Sequence, residues 1–154
     1  MADIVDRETR SRMMSGIRGR DTKPELAIRR HLHAAGYRFR VHDRRLPGCP
    51  DLVLPKHRAV IFVHGCFWHH HEQCRFATIP ATRAEFWKSK FESNQLRDNR
   101  NSETLLRAGW RVAVVWECAV KVHREESVTA QLIRWLDSSS PRLVVAQEGT
   151  NTYI

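Results

Sequence analysis

Residues 47–74, PGCPDLVLPKHRAVIFVHGCFWHHHEQC, place an acid before one apolar segment, add a second apolar segment, and follow it with a polar loop. The apolar runs at 51–54 and 59–64 are typical of buried strands, and the second is expected at the centre of a sheet. The stretch also holds three of the four cysteines and five of the nine histidines. Packing alone does not require these residues, so their concentration predicts a functional site where the strands end.

Helix signals lie on both sides of these strands. Thr22, Pro24 and Glu25 are typical of a helix start, and the helix is expected to run to about Ala35 and to stop at Gly36. The other predicted elements are a strand at 37–41, a loop at 65–81, a helix from 81 or 82 to before 109, a strand at 111–116, and a helix capped by Ser127 that ends near Leu136. This order predicts an α/β fold in which helices flank a central mixed β-sheet.

The length of 154 residues fits one main domain. We expect a basic N-terminal arm at 1–20 with a short helix inside 6–18, a main domain at 21–137, and a weakly specified C-terminal extension at 138–154. No run is long and apolar enough for a membrane span, and the N-terminus lacks the apolar block of a signal peptide. A cytoplasmic location is the expectation.

The charge predicts an anionic partner. Lys and Arg number 26 against 17 Asp and Glu, the formal net charge is +9, and most of the basic residues are arginines. Guanidinium groups match phosphate oxygens in pairs, so nucleic acid is the favoured partner. The alternative is a solvated charged face.

The cysteines suggest a metal. Cys66, His71 and Cys74 share one loop, and Cys118 follows the strand at 111–116, where a sheet could bring it alongside. Four such ligands suit a closed, structural zinc site. From spacing alone, His69 or His70 could replace His71, or the cysteines could be free and buried. Cys49 receives no role.

The acids suggest a second metal. Asp51, at the start of its strand, could hold Mg²⁺ against a phosphate, although a Pro-Asp pair also suits an ordinary turn. The other candidates for this site are polar residues elsewhere in the chain: Glu25, His64, His69 and Asp98. Glu25 also fits a capping box with Thr22, and Asp98 could simply be solvated.

The aromatic residues have two interpretations. Phe67 and Trp68 lie in the polar loop, and Trp87 lies early on the long helix. They could pack in a core, or they could form a wedge that unstacks base pairs. Met13 or Met14 on the basic arm could supply a second wedge.

Several motifs together resemble one family. They are HGCFWHHH at 64–71, PATR at 80–83, EFW at 85–87, GWRV at 109–112, VWEC at 115–118, TRS at 9–11, RDT at 20–22, LPG at 46–48 and PD at 50–51. Over about residues 3–120 the chain resembles the very short patch repair (Vsr) endonucleases. The resemblance implies a restriction-endonuclease fold of the PD-(D/E)XK type with a structural zinc. The implied activity is a Mg²⁺-dependent nick on the 5′ side of the thymine in a T:G mismatch, which arises when 5-methylcytosine is deaminated.

The resemblance also implies residue roles. Asp51 and the backbone carbonyl of Val63 would bind Mg²⁺, and His69 would be the general acid or base. His64, Asp98 and Glu25 would support the phosphate, the metal waters and His69. The implied zinc ligands are Cys66, His71, Cys74 and Cys118. The implied DNA contacts are the intercalating Phe67, Trp68 and Trp87, the opposing Met14, and two residues of the long helix, Lys90 and Asn94.

The implied partner is double-stranded DNA carrying a T:G mismatch, bound by a monomer that acts at the bacterial nucleoid. Mismatch-repair proteins are candidate partners, and a cognate methyltransferase is expected. Three features depart from the family pattern. Cys49 stands where an Arg is expected, the loop between His71 and Cys74 is one residue longer than in the member compared, and the superfamily's usual second acid and lysine are absent, with Phe62 and His64 near those places.

Two rival functions explain part of the sequence. A zinc-stabilised DNA-binding module would explain the charge, cysteines and aromatics but not the acids and histidines gathered around one strand pair. A restriction-type nuclease acting on undamaged DNA would explain those as well.

Overall fold

The computed structural model describes residues 21–147. The expected basic arm, including Met13 and Met14, lies outside this range, as do the last residues of the C-terminal extension. Five helices or helical turns and five strands are described: α1 (Lys23–Ala34), β1 (Arg40–Val41), β2 (Leu52–Leu54), a 3₁₀ turn (Pro55–His57), β3 (Ala59–His64), α2 (Ala84–Arg107), β4 (Arg111–Trp116), α3 (Glu117–Val122), α4 (Glu125–Leu136) and β5 (Arg142–Val145). Within these residues no helix is long and apolar enough to cross a membrane.

The strands form one mixed sheet in the order β1-β2-β3-β4-β5. β1, β2 and β3 pair antiparallel through short connections, whereas β3, β4 and β5 pair parallel. Parallel neighbours need crossover connections, which α2 provides between β3 and β4, and which α3 and α4 provide between β4 and β5. The α/β class and the mixed sheet flanked by helices are therefore confirmed.

Alternation along the strands builds two cores. Leu52, Leu54 and Ile61 belong to the core beneath α1 and α4, where Leu32 and Leu132 are fully buried. The alternate residues of the same strands face α2 and form a second, smaller core. It comprises Val53, Val60, Phe62, Leu105, Val112 and Val114. Each buried aliphatic side chain contributes about 1.5–3 kcal/mol. The sheet is therefore a rigid platform, and His64 at the end of β3 faces the α2 side.

The helix-start prediction at Thr22 is confirmed: its side chain accepts a hydrogen bond from the Glu25 N–H at 3.4 Å. The helix ends at Ala34, and Gly36 follows at φ +95°, the left-handed conformation that glycine adopts without strain. The predicted strand at 37–41 was too long, because only Arg40–Val41 pairs with β2. Tyr37 and Phe39 instead pack on the larger core from an irregular segment.

Two helix starts differ from the sequence predictions, and two further elements were not predicted. α2 begins at Ala84, after Arg83 at φ +59°, two or three residues later than expected. α4 begins at Glu125, so Ser127 lies inside the first turn and does not cap the helix, and the short helix α3 was not predicted. Arg142–Val145 forms β5, which extends the sheet with a strand from the segment expected to be a weakly specified extension.

Candidate active site and metal cluster

A cleft of about 650 Å³ opens where β2 and β3 meet α2. Asp51, Val63, His64, His69 and Asp98 all line it. These side chains come from two strands, the loop after β3 and a helix that begins more than thirty residues after Asp51. The fold therefore brings together the predicted active-site residues other than Glu25 in one concave surface, and Glu25 lies beside Asp51.

Asp51 is held at the floor of this cleft by the sheet. The register that pairs Leu52 with Ile61 places Asp51 level with Phe62, and the next N–H along β3, that of Val63, donates to Asp51 Oδ2 at 2.7 Å. Burial raises the pKa of Asp51 to about 8, and the negative charge of Glu25 adds to the rise, while the Val63 N–H and the Arg29 guanidinium oppose it. Ionised Asp51 is therefore costly here, and a cation beside it would offset that cost. An acid in this environment is suited to bind a divalent ion, and that role of Asp51 stays a prediction.

Glu25 reaches the same region from α1. Its side chain is only 2% exposed, and its Oε2 accepts a hydrogen bond from the Asp21 N–H at 3.0 Å and pairs with Arg29. Its own N–H meanwhile donates to the Thr22 cap. The capping and site roles of Glu25 therefore coexist.

The histidines of the loop are not equivalent. His69 Nδ1 lies 2.5 Å from Asp98 Oδ2, and the His69 ring stacks on His64 with centroids 3.9 Å apart. Burial lowers the pKa of His64 well below its usual range, and the charges of His69, Arg97 and His71 act in the same direction. His64 is thus a neutral platform, and a carboxylate that orients one nitrogen of His69 leaves its other nitrogen for proton transfer.

His70 belongs neither to the His69–Asp98 pair nor to the cluster of His71 with the cysteines. Its ring stacks on Phe91 at 4.8 Å, and its Nδ1 is buried without a hydrogen-bond partner in the part of the chain described. Its backbone carbonyl accepts a hydrogen bond from Gln95. This places His70 in the contact between the loop and α2, away from the cysteines.

The second cluster joins Cys66, His71, Cys74 and Cys118, all buried, with ligand atoms within 4.8 Å of one another. His71 Nδ1 lies 3.8 Å from the Cys66 sulfur and 3.5 Å from the Cys118 sulfur. Zn–S and Zn–N bonds of about 2.3 and 2.0–2.1 Å around a tetrahedral ion imply edges of roughly 3.5–3.8 Å. The donor set and spacing therefore fit zinc, with His71 in place of His69 or His70.

The electrostatics of the cysteines agree with a cation. The hydrogen bond from Cys66 lowers the pKa of the Cys118 thiol to about 4, and the same contact raises the pKa of Cys66. Thiolate character buried beside a thiol and an imidazole is the state that a metal ion stabilises. With four protein ligands such a site would be closed and structural.

Phe67, Trp68 and Trp87 pack on one another above the buried Phe91. Ring centroids are 5.0 Å apart for Phe67 and Trp68, and 5.5 Å for Phe67 and Trp87. All three remain partly exposed. They therefore form an aromatic cluster that is neither a closed core nor a set of separate side chains.

The two α2 residues assigned near DNA differ in exposure. Asn94 is buried and its amide donates to the Trp68 carbonyl at 2.8 Å, so it positions the aromatic cluster. Lys90 is exposed. Contact of either residue with DNA stays a prediction.

Sequence reasoning missed His42 and Arg29. The His42 ring lies between two acids, with Nε2 at 2.9 Å from Glu25 and Nδ1 at 3.8 Å from Asp51. His42 has φ +48°, an unfavourable conformation for a non-glycine residue. The only sequence signal was a histidine just after the predicted strand 37–41, whose pairing with the Asp51 strand brings it into the site.

Comparison with known proteins decides the family. The chain is 46% identical over 139 residues to "DNA mismatch endonuclease Vsr" of Escherichia coli K12, covering 88% of each protein. The chain belongs to the Vsr family of DNA mismatch endonucleases. The family's profile, described as "DNA mismatch endonuclease Vsr", matches residues 2–75.

Two further relatives carry the name of nicking enzymes. "Type II nicking enzyme V.XorIIP" of Xanthomonas oryzae pv. oryzae is 49% identical over 118 residues, 77% of this chain and 86% of the relative. "Type II nicking enzyme V.NmeAIP" of Neisseria meningitidis serogroup A is 42% identical over 121 residues, 79% of this chain and 86% of the relative. The Vsr matches extend beyond the profile's range and include α2, which carries Asp98.

Proposed function

We propose that this Vsr-family chain is a Mg²⁺-dependent endonuclease that nicks one strand of DNA 5′ to the thymine of a T:G mismatch produced by 5-methylcytosine deamination. The observation that carries the proposal is the His69–Asp98 pair facing a partly buried acid, Asp51, across one cleft. Hydrolysis of a phosphodiester needs a cation against the phosphate and a group that moves a proton. The cleft has residues suited to each task. We also propose that the sheet is the PD-(D/E)XK type.

The residues divide the reaction between them. Asp51 and the Val63 carbonyl would hold Mg²⁺, which when bound supplies charge neutralisation at the phosphate and a more acidic water. His69, oriented by Asp98 through Nδ1, would use Nε2 to take a proton from the attacking water or to give one to the leaving oxygen. His64 would keep the His69 ring in place by stacking. One phosphorus–oxygen ester bond breaks, and a water oxygen takes its place.

The aromatic cluster would provide recognition of the mismatch. Phe67 and Trp68 lie in the loop next to the cysteine cluster, and Trp87 joins them from α2. A T:G pair is less stable than a matched pair, so unstacking beside it costs less. A loop pinned by zinc would hold the wedge at a set distance from Asp51.

One assay tests this function. Matched duplexes and duplexes with a single T:G pair, each strand labelled separately, are incubated with the protein in Mg²⁺, without Mg²⁺, and in EDTA followed at once by excess Mg²⁺. The expected result is a nick in the thymine strand of the mismatched duplex only, in the two arms that contain free Mg²⁺. Cutting of both duplexes would show a nuclease acting on undamaged DNA. Binding without cutting in any arm would show a DNA-binding module.

The cleft arginines give a quantitative prediction about DNA binding. Arg44 and Arg97 line the cleft. Arg44 has no ion pair within residues 21–147, and Arg97 approaches only Asp98, at 3.9 Å. We expect Arg44→Gln and Arg97→Gln each to weaken binding and to lower the slope of log K against log salt by about 0.9 per lost phosphate contact. Affinity measured by fluorescence anisotropy over a KCl series checks this.

Arg45→Gln is the matched control for the salt slopes. Arg45 neighbours Arg44 but donates twice to Asp43, with both bonds at 2.9 Å, and it does not line the cleft. For Arg45→Gln, the slope of log K against log salt should equal that of the wild type. Unchanged slopes in both cleft variants would place the phosphates elsewhere.

A further inference from the structure

A third group of metal-type ligands lies beside the Asp51 site. Asp21 Oδ1, Glu25 Oε2 and His42 Nε2 all lie within 4.8 Å of one another. Two carboxylates and an imidazole form a set that divalent ions such as Mn²⁺ accept. The group adjoins the cleft, since His42 also approaches Asp51 at 3.8 Å. By ligand type alone it would be a position for a second divalent ion.

A side chain of the protein already fills this position. Arg29 Nη2 lies 2.7 Å from Asp21 Oδ1 and 2.7 Å from His42 Nε2, and it contacts Glu25 Oε2. Arg29 follows Glu25 by one turn of α1, and 17% of its side chain is exposed. Arginine cannot lose its proton in a protein, so this is a permanent positive charge at the centre of the three ligands.

We propose that Arg29 is the built-in cation of the Asp21–Glu25–His42 cluster and occupies the place that a divalent ion would take among these three ligands. A divalent ion there would meet the guanidinium at contact distance, and Glu25 Oε2 already binds both Arg29 and the Asp21 N–H. The cluster would therefore hold no divalent ion, whatever number of ions binds at Asp51. The Asp51 site rests on the proposed function, whereas the state of the cluster does not.

The backbone at His42 supports this arrangement. His42 adopts the left-handed conformation, and its N–H donates to the Asp51 carbonyl at 3.2 Å. The conformation brings the imidazole against Arg29 and Glu25. An energetically unfavourable backbone that orients a side chain is characteristic of functional sites.

The test counts bound Mn²⁺. Full-length, zinc-loaded wild type, Arg29→Met, Arg29→Met/Glu25→Gln and Arg30→Met are titrated with Mn²⁺ without DNA, and free ion is measured by electron paramagnetic resonance. Arg30 is the matched control, because it is the next residue on α1, is exposed, and pairs with Glu125 instead. We expect Arg29→Met to bind one more Mn²⁺ per chain than wild type, and the double variant to lose it. Arg30→Met should match wild type.

Other outcomes have defined meanings. An equal count in Arg29→Met and wild type overturns the proposal. If Arg29→Met does not fold by circular dichroism, Asp21→Asn in the wild-type background decides: an unchanged count supports the built-in cation, and a count lower by one overturns it. Asp51→Asn should lower the count of wild type. If it does not, the assigned Mg²⁺ position fails, while the difference between Arg29→Met and wild type still decides the state of the cluster.

Discussion

Asp51→Asn should reduce nicking of a T:G duplex by about a hundredfold or more while leaving DNA affinity nearly unchanged. Asparagine has the same shape and keeps an oxygen to accept from the Val63 N–H, but it lacks the charge that would hold a divalent ion. Mutation of residues that only orient metal ligands typically lowers metal affinity or activity 10–100-fold, so loss of the ligand itself should lower activity by at least the upper value. Single-turnover nicking and anisotropy binding of the same labelled duplex measure the two effects.

Loss of folding would not explain that result. The pKa of Asp51 rises from 3.8 to about 8 on burial, so between these values the folded protein binds a proton that the unfolded chain has lost. The metal-free wild type therefore loses stability as pH rises from about 4 to 8. Asparagine carries no such penalty. Metal-free Asp51→Asn should be at least as stable as wild type at pH 8, with the gap smaller at pH 5, by thermal unfolding.

Asp43→Asn is the control for Asp51. Asp43 lies in the same connection between β1 and β2, but hydrogen bonds from Arg45 hold its pKa at about 2 and it does not line the cleft. This variant should nick normally. Wild-type nicking by Asp51→Asn, or an equal loss in both variants, would show that Asp51 is not the metal position.

Local patterns predicted the elements whose burial is strong. The runs AVIFVH and RVAVVW became β3 and β4, the two central parallel strands, because β-branched residues on both faces suit a strand covered by helices. β5 has only Leu143, Val144 and Val145 as apolar residues, and it is a strand because it pairs in parallel with β4. That pairing depends on the crossover through α3 and α4, which no local pattern reveals.

The residues of the candidate site also divide into those that local sequence patterns predicted and those that they did not. Asp51 stood out because it begins a predicted strand, and Cys66 because it follows the end of another by two residues. Asp98 looked like a solvated helix residue, and the resemblance to a family was needed to assign it. Arg29 and His42 were missed because their roles arise only where α1 packs beside the β1–β2 connection, a contact between residues 13 positions apart.

The second large expected effect is the loss of zinc and of stability when the cysteine cluster is disrupted. Purified protein should contain one zinc per chain, and Cys118→Ser should lose it, because the cluster offers four ligands and includes no fifth His, Cys, Asp or Glu among the described residues. A decrease of about 3 kcal/mol in the free energy of unfolding would lower Tm by roughly 6–12 °C for a chain of this size. Cys49→Ser, outside the cluster, should keep both zinc and Tm. Metal analysis and thermal unfolding measure these effects.

Loss of zinc should also reduce nicking without directly removing a catalytic group. His69 lies between Cys66 and His71 of the cysteine cluster, and its contact with Asp98 depends on how this loop lies against α2. The sheet cores do not include the loop, so the central strands should stay folded. Cys118→Ser should therefore nick slowly but with the Mg²⁺ concentration dependence of wild type, since Asp51 is held by the sheet. A zinc-free variant that nicks at the wild-type rate would show that the loop is positioned by its contacts with α2, among them Asn94 to Trp68 and Gln95 to His70, without help from the metal.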